Sequence, residues 1–366
     1  MQFADAAYAS SHAGTKRLGQ DIWNQHGQQQ HTVAHIGSTL DRLTAEWPEG
    51  REANLTVDTE LRQSLVSSTL DDARHNLRKQ QGTAADKARL NAFSAKTAAR
   101  WHGAVPSKTL DTHLASNAFV TQVAVQLGVD VYDEARSCPF CAAVCDTKGI
   151  HPLSCTCGGD MIVVHNAARD EVFQWCRRAG LQPCLEKEGL LSRLALPGDR
   201  RRPADVLICR QVGFLDGLPG EQVPSSCRRV ALDFAVINAV GQGHCDRTAE
   251  RPLGAAIAYS RRKTLYRNTG AQCAAEGIAF EPIVFEAQGG IEPRSAAILH
   301  RIAEKVATIE GADPARIKAQ MLQRLAVIIA RQNAAAILRR SGPSKVMIPR
   351  VAQHALEEAR SLQEAS

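Results

Sequence analysis

The sequence predicts an α/β fold, in which a small mixed β-sheet is flanked by helices and helical regions lie at both ends. Two observations support this prediction. Four short apolar runs, bounded by Gly, Pro or charged residues, have the length of buried strands. Longer stretches around them place apolar residues at intervals of three and four, as amphipathic helices do. The 366 residues are enough for two or three domains.

The N-terminal third contains little that predicts a sheet. Residues 1–50 are rich in Gln, His, Ser and Gly, and we expect them to be poorly ordered. Residues 51–130 read as a helical linker region, because 57–99 and 109–129 both carry helical periodicity. A segment rich in cysteine follows over 131–160.

Helices and strands alternate after this segment. A helix is predicted over 164–180, where Gly180 suits its C-terminal end. A second helical stretch lies between the last two strands, at 252–277, and residues 291–366 form a helical C-terminal region. The predicted strands are 181–188, 204–210, 229–237 and 280–287.

The charge balance is mildly basic. Lys and Arg number 44 against 38 Asp and Glu, which gives a net charge of +6. This balance permits a polyanionic partner without requiring one. The first residues lack the pattern of a secretory signal, and no apolar run is long enough for a membrane span. We therefore expect neither secretion nor a membrane partner.

A cluster of cysteines with one histidine predicts a metal site. All 11 cysteines lie at or after Cys138, and five of them fall between Cys138 and Cys157. Cys138 and Cys141 in "CPFC", with His151 and Cys155 in "HPLSC", make a four-ligand set of the kind that structural zinc uses. Cys157 could replace Cys155 as the fourth ligand. The alternative is that these cysteines are small buried hydrophobic residues.

Two aspartates interrupt the apolar runs of neighbouring strands. Asp205 lies in "RRPADVLICR" and Asp233 in "RVALDFAVIN". Side by side, two buried carboxylates would repel each other unless a divalent cation lies between them. Oxygen ligands favour Mg²⁺ or Mn²⁺. In the alternative interpretation each aspartate pairs with a nearby arginine, namely Arg201, Arg202, Arg228 or Arg229.

A lysine downstream adds to this pattern. The segment "RRKTLYR" lies in a helical stretch, and Lys263 and Tyr266 share one helix face because they are three residues apart. A lysine close to a metal-bound phosphate can orient an attacking water or stabilise developing negative charge. The alternative is an ordinary solvent-exposed helix face.

In their order along the chain, these segments resemble the C-terminal region of certain non-LTR retrotransposon reverse transcriptases. The likeness covers about residues 101–340 and rests on "CPFC", "GIHPLSCTCGGDMIVVHNAARDEV", "RRPADVLICR", "VALDFAV", "RRKTLY" and "FEPIVFEAQGG". Those proteins carry a zinc knuckle followed by a restriction-endonuclease-like domain of the PD-(D/E)xK class. The resemblance thus implies a zinc knuckle over 131–160, a restriction-endonuclease-like domain over 161–290 and a helical region over 291–366.

The resemblance also implies roles for individual residues. Asp205 and Asp233 would bind the catalytic Mg²⁺ or Mn²⁺, Lys263 would be the lysine of the class, and Tyr266 would lie beside it. His165, in "HNAARD", falls in a recurring motif of the family. The structural zinc ligands would be Cys138, Cys141, His151 and Cys155. Glu188 and Asp170 are further candidate acids.

Three features depart from the family. "RPAD" has an alanine between the proline and Asp205, and the strand of Asp233 reads "DFA" instead of D/E-x-K, so the lysine must come from elsewhere in the chain. The polymerase motif is also missing, since the Asp-Asp pair Asp71–Asp72 sits in a helical pattern. We therefore expect a truncated or separate copy of such an element, which cannot copy nucleic acid.

The predicted function is that of a metal-dependent DNA endonuclease that nicks target DNA, with DNA as its partner and the RNA of the element as a further one. Such a substrate predicts a nuclear location, or otherwise a cytoplasmic one. The alternative is a catalytically inactive, zinc-containing nucleic-acid-binding remnant. A third interpretation makes the acids salt-bridge partners in a zinc-stabilised scaffold. Nothing in the sequence indicates an oligomeric state.

Overall fold

The computed structural model describes residues 63–191, 202–209, 213–219, 224 and 226–341. The chain divides into two compact units, residues 1–83 and 84–366. In the first unit the described part forms helix α1 (Gln63–Gln81). The segment 1–50, which we expect to be poorly ordered, lies outside the described residues, as do 342–366 of the predicted C-terminal region. The domain boundaries proposed from the sequence stay predictions.

The second unit begins with helices and a small hairpin. In order, the elements are α2 (Ala84–Ser94), a 3₁₀ turn (Arg100–Gly103), α3 (Ser116–Leu127), β1 (Arg136–Ser137), β2 (Val144–Cys145) and a second 3₁₀ turn (His151–Leu153). Helix α3 ends where Gly128 adopts a left-handed φ of 70°, a conformation that glycine takes without strain. Strands β1 and β2 then pair antiparallel, with Arg136 opposite Cys145.

A four-stranded mixed sheet follows helix α4 (Asp160–Arg178). Its strands are β3 (Pro183–Leu185), β4 (Val206–Ile208), β5 (Arg229–Ile237) and β6 (Ile278–Glu286), and they lie in chain order. Strand β4 pairs antiparallel with both β3 and β5, whereas β6 runs parallel to β5. The predicted α/β fold with a small mixed sheet is therefore confirmed.

The parallel pair requires a crossover, because two parallel strands cannot be joined by a tight hairpin. Helices α5 (Cys245–Glu250), α6 (Gly254–Leu265) and α7 (Thr269–Ala275) supply it. The helical stretch predicted over 252–277 consists of separate helices, since Arg267 and Asn268 have left-handed φ angles of 49° and 54°. As a result α6 ends at Leu265, and Tyr266 lies beyond it instead of on one helix face with Lys263.

Helices cover both faces of the sheet. Helix α4 packs on one face together with α8 (Pro293–Glu310) and α9 (Pro314–Leu338), and their apolar side chains join those of Val206, Leu232 and Phe285 in the largest core cluster. Helices α6 and α7 cover the other face, where Ala255 and Cys273 are fully buried against the strands. Burial on both faces explains why β5 and β6 are apolar almost throughout.

None of the described helices is both long enough and apolar enough to pass through a bilayer.

Candidate functional site

The hairpin and the 3₁₀ turn after it bring four ligand-type side chains together. Cys138 and Cys141 lie in the turn between β1 and β2. Two backbone hydrogen bonds close this turn: the Cys138 amide donates to the Ala143 carbonyl, and the Ala142 amide donates to the Cys138 carbonyl. His151 opens the 3₁₀ turn, and Cys155 follows it by two residues. The ligand atoms of the four side chains all lie within 4.8 Å of one another. This group could therefore hold a metal ion such as zinc, and it is the four-ligand set predicted from the sequence.

The distances in the cluster suit tetrahedral zinc. Cys141 Sγ lies 3.3 Å from His151 Nε2 and 3.6 Å from Cys155 Sγ. Bond lengths of about 2.3 Å to sulfur and about 2.0 Å to nitrogen put neighbouring ligand atoms roughly 3.5–3.8 Å apart. Only small adjustments of the side chains would be needed to seat the ion.

The electrostatics of the cluster favour the metal-binding form of Cys138. Burial raises the pKa of its thiol, but hydrogen bonds from the Phe140 amide and from the Arg340 and His151 side chains lower it to about 5. Cys138 is therefore a thiolate at neutral pH, the form that binds metal. Burial raises the pKa of Cys145 to about 12, so this cysteine stays a thiol.

The structure also distinguishes Cys155 from Cys157. Cys155 belongs to the cluster, whereas the Cys157 side chain is exposed and its carbonyl oxygen accepts a hydrogen bond from Arg340. The nearby Asp146 carboxylate accepts hydrogen bonds from the amides of Ile150 and His151, at 3.0 and 2.9 Å, which fixes the start of the 3₁₀ turn. The geometry selects Cys155 as the fourth ligand.

A buried arginine from the far end of the chain supports the cluster. The Arg340 side chain is fully buried and places Nε 3.4 Å from Cys138 Sγ and Nη1 2.6 Å from Asp160 Oδ2. Asp160 lies in the first turn of α4, where a carboxylate interacts favourably with the helix dipole. Arg340 thus fastens the metal cluster to the helix that precedes the sheet.

The two predicted acids lie on neighbouring strands of the sheet. Val206 of β4 pairs with Leu232 of β5, and continuing this register by one residue places Asp205 opposite Asp233. Asp205 lies just before β4, not inside it as predicted, because its amide donates to the Leu232 carbonyl and the regular ladder stops there. The Phe234 amide instead donates to Asp205 Oδ2 at 2.6 Å.

A histidine on α4 is the second partner of Asp205. His165 Nε2 lies 3.2 Å from Asp205 Oδ2. Burial raises the pKa of Asp205, but the hydrogen bonds from His165 and the Phe234 amide outweigh it and leave the pKa below its ordinary value. In return, the hydrogen bond to Asp205 raises the pKa of His165 against the effect of burial. The resemblance pointed to His165, but its contact with Asp205 was not foreseen.

Lys263 meets Asp233 from the other face of the sheet. Its Nζ lies 2.6 Å from Asp233 Oδ2 and 3.1 Å from the Phe234 carbonyl oxygen. Burial raises the pKa of Asp233 to about 6, although the Lys263 ammonium lowers it. Asp205 and Asp233 thus take their partners from helices on opposite faces, α4 and α6. Within the residues described, neither carboxylate pairs with an arginine.

Among the described residues, each of the two carboxylates has one oxygen to which no group donates a hydrogen bond. The contacts of Asp205 and Asp233 all involve Oδ2, and Oδ1 of neither accepts a hydrogen bond from any residue in the described part of the chain. These two oxygens could bind a divalent cation. In the described part of the chain, however, Asp205 and Asp233 belong to no group of three or more ligand-type side chains, unlike the four residues of the Cys/His cluster. Glu188 and Asp170, the further candidate acids, pair with Arg202 and Arg169.

A cleft of about 480 Å³ opens at Asp233. Lys263 and Tyr266 both line it, so the structure brings together these two predicted residues although they do not share a helix. Arg262 also lines the cleft and stacks over the Tyr259 ring, 4.6 Å from its centroid. The remaining walls come from Arg202, Pro203, Tyr259, Thr269 and Phe280. Cations and aromatic rings around one carboxylate make a site suited to an anionic, ring-bearing ligand.

An ion-pair network beside the cleft escaped prediction. Glu186, at the end of β3, pairs with Arg169 of α4 and lies 3.7 Å from Arg202, which also pairs with Glu188 at 2.7 Å. One signal was available in the sequence. Arg169 is four residues after His165 and so shares its face of α4.

Comparisons with protein-family models, with curated proteins and with solved structures find no match to this chain. The resemblance to retrotransposon reverse transcriptases stays a prediction.

Proposed function

We propose that this chain is a metal-dependent phosphodiesterase that nicks DNA, with a restriction-endonuclease-like sheet domain and a zinc knuckle of retrotransposon type. The observation that carries the proposal is the contact between Lys263 and Asp233 beside Asp205, at a cleft lined by further cations. Two acids opposite each other on neighbouring strands, with a lysine beside one of them, are the residue types that hydrolysis of a phosphodiester needs.

Asp205 and Asp233 are the residues that would hold Mg²⁺ or Mn²⁺. The two unbonded Oδ1 atoms fit such an ion, because carboxylate oxygens are its preferred ligands. Burial raises the pKa of Asp233 to about 6, so the carboxylate is ionised at neutral pH and gains from a nearby positive charge. The chemistry that the ion supplies when bound is neutralisation of phosphate charge and activation of water.

The other residues bind and orient the substrate. Lys263 supplies an ammonium that can turn from Asp233 toward a phosphate oxygen and stabilise the charge that develops there. Arg262 and Arg202 would bind neighbouring phosphates, which position a nucleic acid without reading its sequence. Tyr266, more than half exposed at the cleft, offers a surface on which a base can stack. DNA as substrate would place the protein in the nucleus, with the RNA of the element as a further partner.

One observation favours a second function, that of an inactive nucleic-acid-binding remnant. Both acids already have partners within the protein, namely His165 for Asp205 and Lys263 for Asp233. A divalent cation must compete with these contacts. If it cannot, the cleft binds nucleic acid and does not cleave it.

Nicking of supercoiled plasmid in Mg²⁺ separates the two functions. The zinc-loaded wild type should convert plasmid to the nicked form, and Asp205→Asn, Asp233→Asn and Lys263→Met should each slow this at least about a hundredfold. Glu310→Gln is the matched control, because Glu310 lies on α8 and its side chain forms an exposed ion pair with Arg178 of α4.

Each outcome decides between the functions. Nicking by the wild type and Glu310→Gln alone supports the phosphodiesterase. Salt-dependent retention of plasmid without any Mg²⁺-dependent nicking supports the remnant. Equal nicking by all the variants identifies a contaminant and contradicts the first proposal.

A further inference from the structure

Two cysteines outside the metal cluster lie close together at the edge of the sheet. Cys184 is the middle residue of β3, and Cys209 follows the last residue of β4. Their Sγ atoms are 3.5 Å apart, and both side chains are exposed. The proposed nuclease chemistry uses neither of them.

The strand pairing explains this approach. Cys184 pairs with Leu207, so Cys209, two residues further along, is its diagonal neighbour on the same face of the sheet. The Cys209 amide donates a long hydrogen bond of 3.5 Å to the Gln182 carbonyl, which keeps the two segments side by side beyond the end of β4. Neither thiol packs in a core cluster, so both can change rotamer without disturbing buried side chains.

Other cysteines of the described chain lack this combination of proximity and exposure. Cys176, Cys227 and Cys273 are buried. Cys138, Cys141 and Cys155 belong to the metal cluster. The pair at β3 and β4 is accessible to a reagent and already near a bonding partner.

We propose that Cys184 and Cys209 form a reversible disulfide when the protein meets a disulfide oxidant such as oxidised glutathione. The thiolate of one cysteine attacks a glutathione sulfur and releases one glutathione. The second cysteine gives its proton to solvent and attacks the protein sulfur of the mixed disulfide, which releases the other glutathione. Two protein thiols are oxidised, and oxidised glutathione is reduced to two molecules of glutathione.

The bond requires little movement. A disulfide has a sulfur–sulfur distance of about 2.05 Å, so the two sulfurs must approach by about 1.5 Å, which rotation of exposed side chains can supply. The bond would tie β3, a three-residue edge strand, to β4. Since Glu186 follows β3 and pairs with Arg169, the cross-link would also hold the ion-pair network beside the cleft.

The experiment uses zinc-loaded protein equilibrated with mixtures of reduced and oxidised glutathione. Free thiols are then alkylated and the protein is cut with trypsin. The bond would join peptide 179–187, which contains Cys184, to peptide 202–210, which contains Cys209 and keeps its uncut Arg202–Pro203 bond. Cys184→Ser and Cys209→Ser each remove one partner, and Cys245→Ser is the control because Cys245 lies on helix α5 and not on either strand.

We expect the linked peptide in the wild type and in Cys245→Ser, absent from both other variants and removed by a reducing agent. Bound zinc should stay constant, and the oxidised wild type should unfold at a higher urea concentration than the reduced protein. Two singly glutathionylated cysteines, or a linked peptide that forms only after zinc is lost, would overturn the proposal. These results do not depend on DNA cleavage, so they test the disulfide whatever the chemistry of the cleft.

Discussion

Replacing Lys263 with methionine should destabilise the protein by an amount that grows with pH. In the wild type, burial raises the pKa of Asp233 to about 6 even though the Lys263 ammonium, 2.6 Å away, lowers it. Methionine keeps an unbranched apolar side chain and removes that charge. The pKa of Asp233 in the folded variant should therefore rise further, whereas in the unfolded chain it is close to 3.8 in both proteins.

The size of the effect follows from the two pKa values. An acid whose pKa is higher in the folded chain costs stability as the pH rises from its unfolded to its folded pKa, at about 1.4 kcal/mol per pH unit. Both proteins lose stability up to about pH 6, but only the variant continues to lose it above that pH. The additional loss is at most about 1.4 kcal/mol at pH 7 and at most about 2.7 kcal/mol at pH 8. Below pH 6, loss of the hydrogen bond to the Phe234 carbonyl leaves a difference of about 1 kcal/mol.

Urea unfolding at pH 5, 6, 7 and 8 measures this dependence. Lys148→Met is the matched control, because the ion pair of Lys148 with Asp130 is substantially exposed on both sides. The control should lose less than about 1 kcal/mol at every pH. An equal loss at pH 5 and pH 8 in Lys263→Met would refute the argument, since it would mean that Asp233 keeps its pKa without the lysine.

Three further predictions concern other titratable or metal-binding groups. His165→Gln should cost more stability at pH 5.5 than at pH 8.5, because the stabilisation from a raised histidine pKa is complete below about 6.5 and is lost as the pH rises through the raised value. Equal costs in urea unfolding would contradict the contact with Asp205. Cys155→Ser should abolish stoichiometric zinc binding in elemental analysis whereas Cys157→Ser keeps it; the opposite result would make Cys157 the ligand. Burial raises the pKa of Glu286 from 4.5 to about 7, so Glu286→Gln should gain up to about 3 kcal/mol over the wild type at pH 8 and almost nothing at pH 4.5. A gain independent of pH would show that the charge of Glu286 is not what costs stability.

The two long strands could be predicted from the sequence, but the lengths of the two short strands could not. Strand β5 matches the predicted range 229–237 and β6 lies close to the predicted 280–287, because a strand buried on both faces is apolar along almost its whole length. The runs 181–188 and 204–210 each shorten to three residues, in β3 and β4. The length of such a short strand depends on the strand it pairs with and leaves no pattern in its own side chains.

In the candidate site, the metal ligands could be predicted from the sequence, but the contacts between different helices and strands could not. The metal ligands could be predicted because all four lie within eighteen residues of the sequence, at one turn and at the 3₁₀ turn that follows it. The contact of His165 with Asp205, forty residues away, and the pairing of Arg169 with Glu186 join different elements. Such contacts follow from how α4 packs on the sheet. Helical periodicity places His165 and Arg169 on one face of α4, but it does not identify Asp205 and Glu186 as their partners.

The contacts of Arg340 make residues 131–160, which contain the metal cluster, a poor candidate for transplantation into another protein. Arg340, which donates to Cys138, is 202 residues away from it in sequence. Close to Arg340, in the last turn of α9, the Ile337 carbonyl accepts a hydrogen bond of 2.8 Å from the Tyr132 hydroxyl. A peptide excised as residues 131–160 would keep all four ligands but would lose the Arg340 side chain, one of the groups that lower the pKa of the Cys138 thiol. During synthesis the Arg340 contact can form only after the ribosome has passed residue 340, long after the four ligands have been made.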